Sequence, residues 1–450
     1  MNRRSFLIIG GGPAGMSAAS RIKRLKPDSS VTVLEENSFT SHAPCGLPYF
    51  LGGLIPDLRT LMGTSPEKVL SKRGIKVESG TRAIKIDPDS KTVYAIKSGE
   101  RTSYSYDLLL IATGSSPISL NIDGSDESDR VFTLGKVEEA SKAKEVLNRS
   151  EKIGIIGGGY IGLETTEELV KLGKRVQLFE ALPHVMSPMD PEISERIEKI
   201  LGAKGVELHL EEPVEEVKTE RNELKVYTAK ASYTLDALIV AVGIKPNSEI
   251  AEDAGVKLGV KSSVEVNELL QTNIPNIYAA GDVCEMTHVV SGRMVWIPLA
   301  TTANKMGYVA GLNMLGYNVP FPGTTGTAIF KLFDLAVART GLNLKEAKHA
   351  GFKPIYVDVE SHTRAHYYPG YKSIFLRMIA DMDSKLLLGA EIIGEEGVAG
   401  RINTVASLLL KKASIKDLFF SDLCYAPPFA PVWDPLVISA RLLMRKLGYS

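Results

Sequence analysis

Cys45 stands in the segment Ser41-His42-Ala43-Pro44-Cys45-Gly46-Leu47-Pro48-Tyr49. A cysteine thiolate can attack a disulfide through a mixed disulfide, or it can pass through a sulfenate. The other two cysteines, Cys284 and Cys424, are distant in sequence, so no CxxC or CxxxxC pair can close a resident disulfide beside Cys45. By residue type alone such a cysteine is most often a buried structural one. A second chemistry is written in glycine. Gly10-x-Gly12-x-x-Gly15 is repeated 147 positions later as Gly157-x-Gly159-x-x-Gly162. In such a loop the first glycine allows a tight turn. The second lets backbone approach a pyrophosphate, and the third lets a helix pack on a strand.

These loops need a strand before them and a helix after them, and the sequence provides both. FLIIGGGPAG at 6–15 and IGIIGGGYIG at 153–162 are each an apolar run, three glycines and then a helical stretch that leads to a further strand. Each is a βαβ unit, with helix N–H donors aimed at an anion. Glu35, 25 residues after Gly10, and Glu180 end the second strands, where an acid hydrogen-bonds ribose hydroxyls. Glu180 would repel a 2′-phosphate, which predicts NADH over NADPH; Arg175 and His184 flank it and could soften that preference. LLLIATG at 108–114 and ALIVAVG at 237–243 are buried-strand runs that close each nucleotide unit, with Thr113, Gly114 and Gly243 at their ends. The segment 272–282 ends a strand at Gly281-Asp282, where the Asp can bind a ribityl hydroxyl. From about 325 an α+β region begins, with strands at 355–359, 373–380 and 385–393 and a helix over 398–412.

Composition sets outer limits. The 450 residues are 44% apolar and 24% charged, as in ordinary soluble chains. Fifty-three acidic residues balance 53 basic ones, which argues against a nucleic-acid binder. Three cysteines make no disulfide framework and point to a reducing compartment, the cytoplasm. No Cys/His cluster has zinc spacing, and no apolar run approaches the ~18 residues of a membrane span. Arg3-Arg4-Ser5-Phe6-Leu7 is like a twin-arginine signal, but only four apolar residues precede Gly10, so it reads as a strand edge.

In order, GGGPAG, ATGSSP, GGGYIGLE and YAAGD make the chain resemble the pyridine nucleotide–disulfide oxidoreductase superfamily, over essentially its whole length. The resemblance implies an α/β fold with two Rossmann-like dinucleotide domains and a C-terminal α+β dimerisation domain. The FAD domain is expected at 1–120 and 245–325, the NAD(P)H domain at 121–244, and the dimerisation domain at 326–450. It assigns Gly10, Gly12, Pro13, Ala14, Gly15, Glu35, Thr113, Gly114, Gly281, Asp282, Leu299 and Ala300 to FAD. It assigns Gly157, Gly159, Tyr160, Gly162, Glu164, Glu180 and Gly243 to NADH or NADPH. Tyr160 is expected to shield the flavin until nicotinamide displaces it, and Glu164 to orient the nicotinamide.

The single cysteine resembles one branch of that superfamily, which includes coenzyme A–disulfide reductases, NADH oxidases and peroxidases, and persulfide or sulfur reductases. Cys45 is then catalytic. His366-Tyr367-Tyr368-Pro369, and Tyr425 before Ala-Pro-Pro-Phe, resemble the coenzyme A–disulfide reductases, in which two tyrosines from the partner subunit reach the active-site sulfur. Tyr367 and Tyr425 fill those places, with Tyr368 a one-residue alternative. Arg21 and Lys23, and more weakly Lys72 and Arg73, are placed to meet coenzyme A phosphates. The resemblance also places Ser41 and His42, beside the thiol, among the substrate-binding residues; His42 departs from the family pattern at the pantetheine contacts and could instead poise Cys45 as thiolate. Cys284 and Cys424 read as structural, and a fused C-terminal rhodanese domain is not expected. The resulting expectation is a cytoplasmic homodimer with a shared active site, reducing coenzyme A disulfide or persulfide with NAD(P)H and needing no metal, nucleic acid or membrane. The alternatives are an NADH oxidase or peroxidase, a sulfur or polysulfide reductase, and an electron-transfer flavoprotein for a protein partner.

Overall fold

A computed structural model describes residues 4–449 apart from 119, 121, 125–127, 136 and 221–222. The apolar run Ser5–Ile9 becomes the central strand of a five-stranded parallel sheet. Its neighbours are Leu108–Ile111 and Ser30–Leu34, and Ile277–Ala279 and Lys76–Glu78 form the edges. The second unit repeats this plan. Lys152–Ile156 lies between Arg175–Phe179 and Ala237–Val240, with Glu207–His209 and Val131–Thr133 at the edges. Parallel strands covered on both faces require near-continuous apolar runs, and Phe6, Leu7, Ile8, Ile153, Ile155 and Ile239 are all buried. Each buried aliphatic side chain contributes about 1.5–3 kcal/mol of transfer free energy. Each unit also carries a three-stranded antiparallel meander, Thr81–Asp87 to Glu100–Ser105 in the first and Val214–Glu220 to Ser232–Leu235 in the second.

The C-terminal region is one antiparallel sheet in the order Ala328–Leu332, Leu335–Gly341, Leu387–Gly394, Ser373–Asp381, Pro354–His362. The helices Val398–Leu410 and Pro435–Lys446 pack on it. The strand expected from 385 begins at Leu387, because 381–385 form a turn: the Asp381 carboxylate accepts the Ser384 N–H (2.8 Å), and Lys385 is left-handed (φ +64°). The helix expected to reach 412 ends at Leu410, and Lys412 is left-handed (φ +52°). Among the described residues no helix is long and apolar enough to cross a membrane.

Candidate active site

Both glycine loops solve the same backbone problem. Gly10 and Gly157 each sit at φ +102°, and a Cβ on either would collide with a carbonyl, that of Ala112 or Ala241. A Cβ on Gly15 or Gly162 would overlap the carbonyl oxygen of Gly10 or Gly157, so the third glycine serves helix–strand packing, as expected. The middle glycines differ: a Cβ on Gly12 or Gly159 would meet nothing within 4 Å. Their smallness answers no contact inside the chain; both line a cavity of about 2690 Å³ shared by the two loops. A pocket for one small ligand is about 300–1,000 Å³, so this space suits more than one large ligand.

Three helices present N-termini to this cavity with no side-chain cap. They are Pro13–Leu25 from Gly12, Tyr160–Lys171 from Gly159, and Ala300–Met314 from Leu299. Uncapped N–H groups and the helix dipole favour an anion there. The acids match as well. Gly11 N–H donates to Glu35 Oε2 at 2.7 Å, and Gly158 N–H donates to Glu180 Oε2 at 2.7 Å. The second oxygens accept from Asn37 (N 2.9 Å, Nδ2 2.7 Å) and from Leu182 N (2.9 Å). Each carboxylate keeps lone pairs for a ribose hydroxyl. These features fit two dinucleotides. Among the described residues no His, Cys, Asp and Glu cluster is arranged to hold a metal.

Every residue expected to hold a nucleotide lines the cavity except Gly15 and Gly162. Asp282 lies there with its carboxyl pushed up by burial, near Ser115 Oγ, while Trp296 Nε1 donates to its carbonyl (2.8 Å). Thr113 and Asn247 are tied by two bonds, Thr113 Oγ1 to Asn247 O (2.7 Å) and Asn247 Nδ2 to Thr113 O (2.9 Å). Tyr160 meets Phe330 of the C-terminal sheet edge-on, with centroids 5.4 Å apart. Sequence reasoning missed Asn247 and Trp296, which nothing local marks.

Cys45 sits in a short 3₁₀ turn, Pro44–Gly46, and is exposed to the cavity beside Ser41 and His42. The expectation that His42 poises a thiolate needs correction. Desolvation by the cavity walls pushes the thiol up, and the Glu164 carboxylate adds to it. Glu164 is itself pushed up to about 7, chiefly by burial. Its Oε1 accepts the Tyr49 hydroxyl at 3.0 Å. Tyr49 lies four residues past Cys45, on the helix Leu47–Leu51, a helical spacing that could have flagged it.

Other expected residues lie elsewhere. Tyr367 and Tyr425 are 64% and 46% exposed, and their hydroxyls are 2.9 Å apart. They do not line the Cys45 cavity of their own chain. Tyr368 faces the Arg364 guanidinium instead, so the one-residue ambiguity falls to Tyr367 as Tyr425's partner. Lys23 is turned inward: Nζ donates to the carbonyls of Pro27 and Ser29, which corrects its expected availability to a phosphate. Arg21 stacks over Tyr308 at 4.5 Å, and Arg73 donates to Ser20 on the same helix as Arg21 (3.0 Å). Arg175 pairs with Glu151 (2.6 Å) and His184 Nδ1 lies 3.1 Å from Glu198, so both basic residues beside Glu180 are already partnered. Cys284 is fully buried, as a structural cysteine should be; Cys424 is exposed, and packing does not account for it.

The sequence matches the family described as pyridine nucleotide-disulphide oxidoreductase over residues 4–307, and that family's dimerisation domain over 327–436. It is 43% identical over 444 residues to a CoA-dependent NAD(P)H sulfur oxidoreductase of Pyrococcus abyssi, covering 98% of each chain. It is 34% identical to an NADH oxidase of Methanocaldococcus jannaschii, covering 98% and 99% of the two chains. Among solved structures, the NAD-dependent persulfide reductase from A. fulgidus superposes with a TM-score of 0.95 at 38% identity, covering 99% of this chain and 84% of that one. The chain therefore belongs to the pyridine nucleotide-disulphide oxidoreductase family and is an oxidoreductase of it.

Proposed function

We propose that the protein uses NAD(P)H, NADH by preference, and FAD to reduce a coenzyme A disulfide or coenzyme A persulfide at Cys45, as a homodimer. The observation that carries this reading is that Cys45 is the one cysteine facing the cavity shared by both glycine loops, with Cys284 buried and Cys424 outside it. With no resolving thiol beside it, the mixed disulfide must include the substrate. The net reaction is NAD(P)H and a proton with a disulfide giving NAD(P)⁺ and two thiols, or with a persulfide giving NAD(P)⁺, one thiol and hydrogen sulfide. FAD, when bound, supplies the two-electron chemistry between nicotinamide and sulfur.

The chain's own part is to place and protonate. Gly12 and Gly159 leave room for two pyrophosphates at uncapped helix ends, and Glu35 and Glu180 take the riboses. Cys45 thiolate attacks one sulfur of the substrate; that S–S bond breaks, and the departing thiolate takes a proton. The Tyr367–Tyr425 pair suits that last task. One hydroxyl hydrogen is spent between the two oxygens, 2.9 Å apart, and the other is left to donate outward. Lying outside their own chain's cavity, these tyrosines would serve the thiol of a second copy. Glu180, with Arg175 and His184 otherwise paired, disfavours a 2′-phosphate. The Pyrococcus and A. fulgidus relatives favour a sulfur acceptor, while the oxidase reading rests on the more distant M. jannaschii likeness.

Anaerobic NADH consumption with coenzyme A disulfide, coenzyme A persulfide, polysulfide and peroxide, and then with air, tests this. Turnover of the coenzyme A substrates should fall about a thousandfold in Cys45→Ser and about tenfold or more in Tyr425→Phe. Turnover with oxygen or peroxide alone would move the chain to the oxidase reading and reduce the tyrosines to interface packing.

A further inference from the structure

The two glycine loops are identical over three residues and part at the next. Gly10-Gly11-Gly12 is followed by Pro13, and Gly157-Gly158-Gly159 by Tyr160, each the first residue of its helix. The backbone does not explain the change, because both first glycines sit at φ +102° and Gly15 and Gly162 meet matching carbonyl oxygens. Pro13 carries a ring locked to the main chain. Tyr160 brings a phenol ring, free to turn about χ1 and χ2, to the shared cavity. What fixes that ring comes from another unit. Phe330, in the C-terminal strand Ala328–Leu332, meets it edge-on, with centroids 5.4 Å apart and planes at 88°. This is a favoured geometry for an aromatic pair. Arg339, Glu346 and Glu391 act on the Tyr160 phenol as charges, without a hydrogen bond. Phe330 itself has little freedom: it is 3% exposed and pairs across the sheet with fully buried Val337. Nor is Phe330 needed to seat its strand on the helix. Lys331 Nζ donates to Glu167 Oε1 (2.5 Å), two helical turns beyond Tyr160.

We propose that Phe330 is a positioning residue: it is the stop that holds the Tyr160 ring in its resting place, so that a nicotinamide must break this aromatic pair in order to bind. The adenosine diphosphate half of the coenzyme, held at Gly159 and Glu180, leaves the pair intact. The C-terminal sheet then sets how readily the second loop's side of the cavity opens, although it contributes nothing to the loop. While the pair is closed the protein is not competent for the nicotinamide, and the apparent affinity falls with the competent fraction. The inference rests on the reading that the second loop takes a nicotinamide dinucleotide. It does not depend on which sulfur compound, or oxygen, accepts the electrons.

Calorimetric titration of the flavin-loaded protein with NAD⁺, and with ADP-ribose, which lacks the nicotinamide, tests this without turnover. Phe330→Leu removes the ring and should tighten NAD⁺ by about threefold to tenfold, while ADP-ribose binds as before. Phe330→Met, nearer the native volume, should do the same and serves if leucine is not tolerated in the core. Tyr160→Leu should tighten NAD⁺ at least as much, and adding Phe330→Leu to it should change nothing further. Retained visible flavin absorbance confirms that the variants are folded. NAD⁺ affinity that is unchanged or weaker in Phe330→Leu and Phe330→Met overturns the proposal. So does an equal tightening of ADP-ribose, or an effect of Phe330→Leu that persists without the Tyr160 ring. Wild type that binds neither ligand would sink the two-dinucleotide reading itself, and the proposal with it.

Discussion

The first and second glycine loops share dihedrals, spacing and acid contacts, yet they are built into different surroundings. The helix of the first loop is clamped by Ala300–Met314: a Cβ on Gly307 or Gly311 would strike the backbone of Ala14 or Ala18. Its acid, Glu35, is buried and held on both oxygens, partly by the Asn37 side chain. The helix of the second loop meets other neighbours instead: the Cys45 segment through Tyr49 and Gly52, and the C-terminal strand Ala328–Leu332 through Lys331 and Phe330. Glu180 is only partly buried, and its outer oxygen is held by one backbone N–H. The same motif thus suits a resident cofactor where it is clamped and an exchanging one where it is open.

The strongest way to break this comparison is to put a methyl group on each first glycine. Gly10→Ala and Gly157→Ala suffer the same collision at the same φ of +102°. Strain of this kind costs about 1–3 kcal/mol before any steric overlap. Gly10→Ala should purify without flavin, as read by visible absorbance. Gly157→Ala should keep its flavin colour but raise the KM for NADH by about tenfold or more. Loss of flavin from both variants would show that the loops are not divided in this way.

A smaller effect separates the two acids. Glu180→Ala removes both a ribose contact and the charge that opposes a 2′-phosphate. The NADH to NADPH ratio of kcat/KM should narrow by about tenfold to a hundredfold. Glu35→Ala should weaken flavin retention and leave that ratio unchanged. Steady-state kinetics with both coenzymes decide it, and an unchanged ratio in Glu180→Ala would place coenzyme choice elsewhere.

Both loops, both acids and the lone thiol were legible in the sequence because each is a local feature: a spacing, a strand end, an apolar run. What escaped was decided across long separations. Tyr49 finds Glu164 115 residues away, and Thr113 and Asn247 lock together across 134. The basic residues were misjudged for a related reason, since a basic side chain read in sequence looks free until its partner is known. Lys23 is taken by carbonyls of its own turn, Arg175 by Glu151 and His184 by Glu198. Tyr367 and Tyr425 were legible as residues, and only the fold paired them, across 58 positions.

The smallest predicted effect concerns how the units are joined to what lies beyond them. The first loop's clamp is made at its glycine contacts by the backbone of Ala14 and Ala18, with Arg21 beside Gly311 stacked on Tyr308 and no carboxylate among the contacts. The second unit meets the C-terminal sheet through a buried charged cluster. Asp190 N–H donates to Glu391 Oε1 (3.0 Å), Arg377 reaches Asp190 (3.2 Å) and Glu192 (2.9 Å), and Arg339 donates to the Pro188 carbonyl. Glu391 Oε2 is buried without a partner, and burial followed by the neighbouring Asp190 charge pushes the carboxyl up to about 8. Arg339 and Arg377 oppose that shift without cancelling it. A carboxyl raised in the folded state binds more protons there than in the unfolded chain, so its contribution is complete at low pH and is lost as pH rises towards 8. The apparent Tm of wild type should therefore decline between about pH 5 and 9. Glu391→Gln, which cannot ionise, should decline less and exceed wild type above pH 8 by on the order of 2 °C. Parallel thermal scans of the two proteins across that range check it, and parallel curves would mean that this joint is as insensitive to pH as the first loop's clamp.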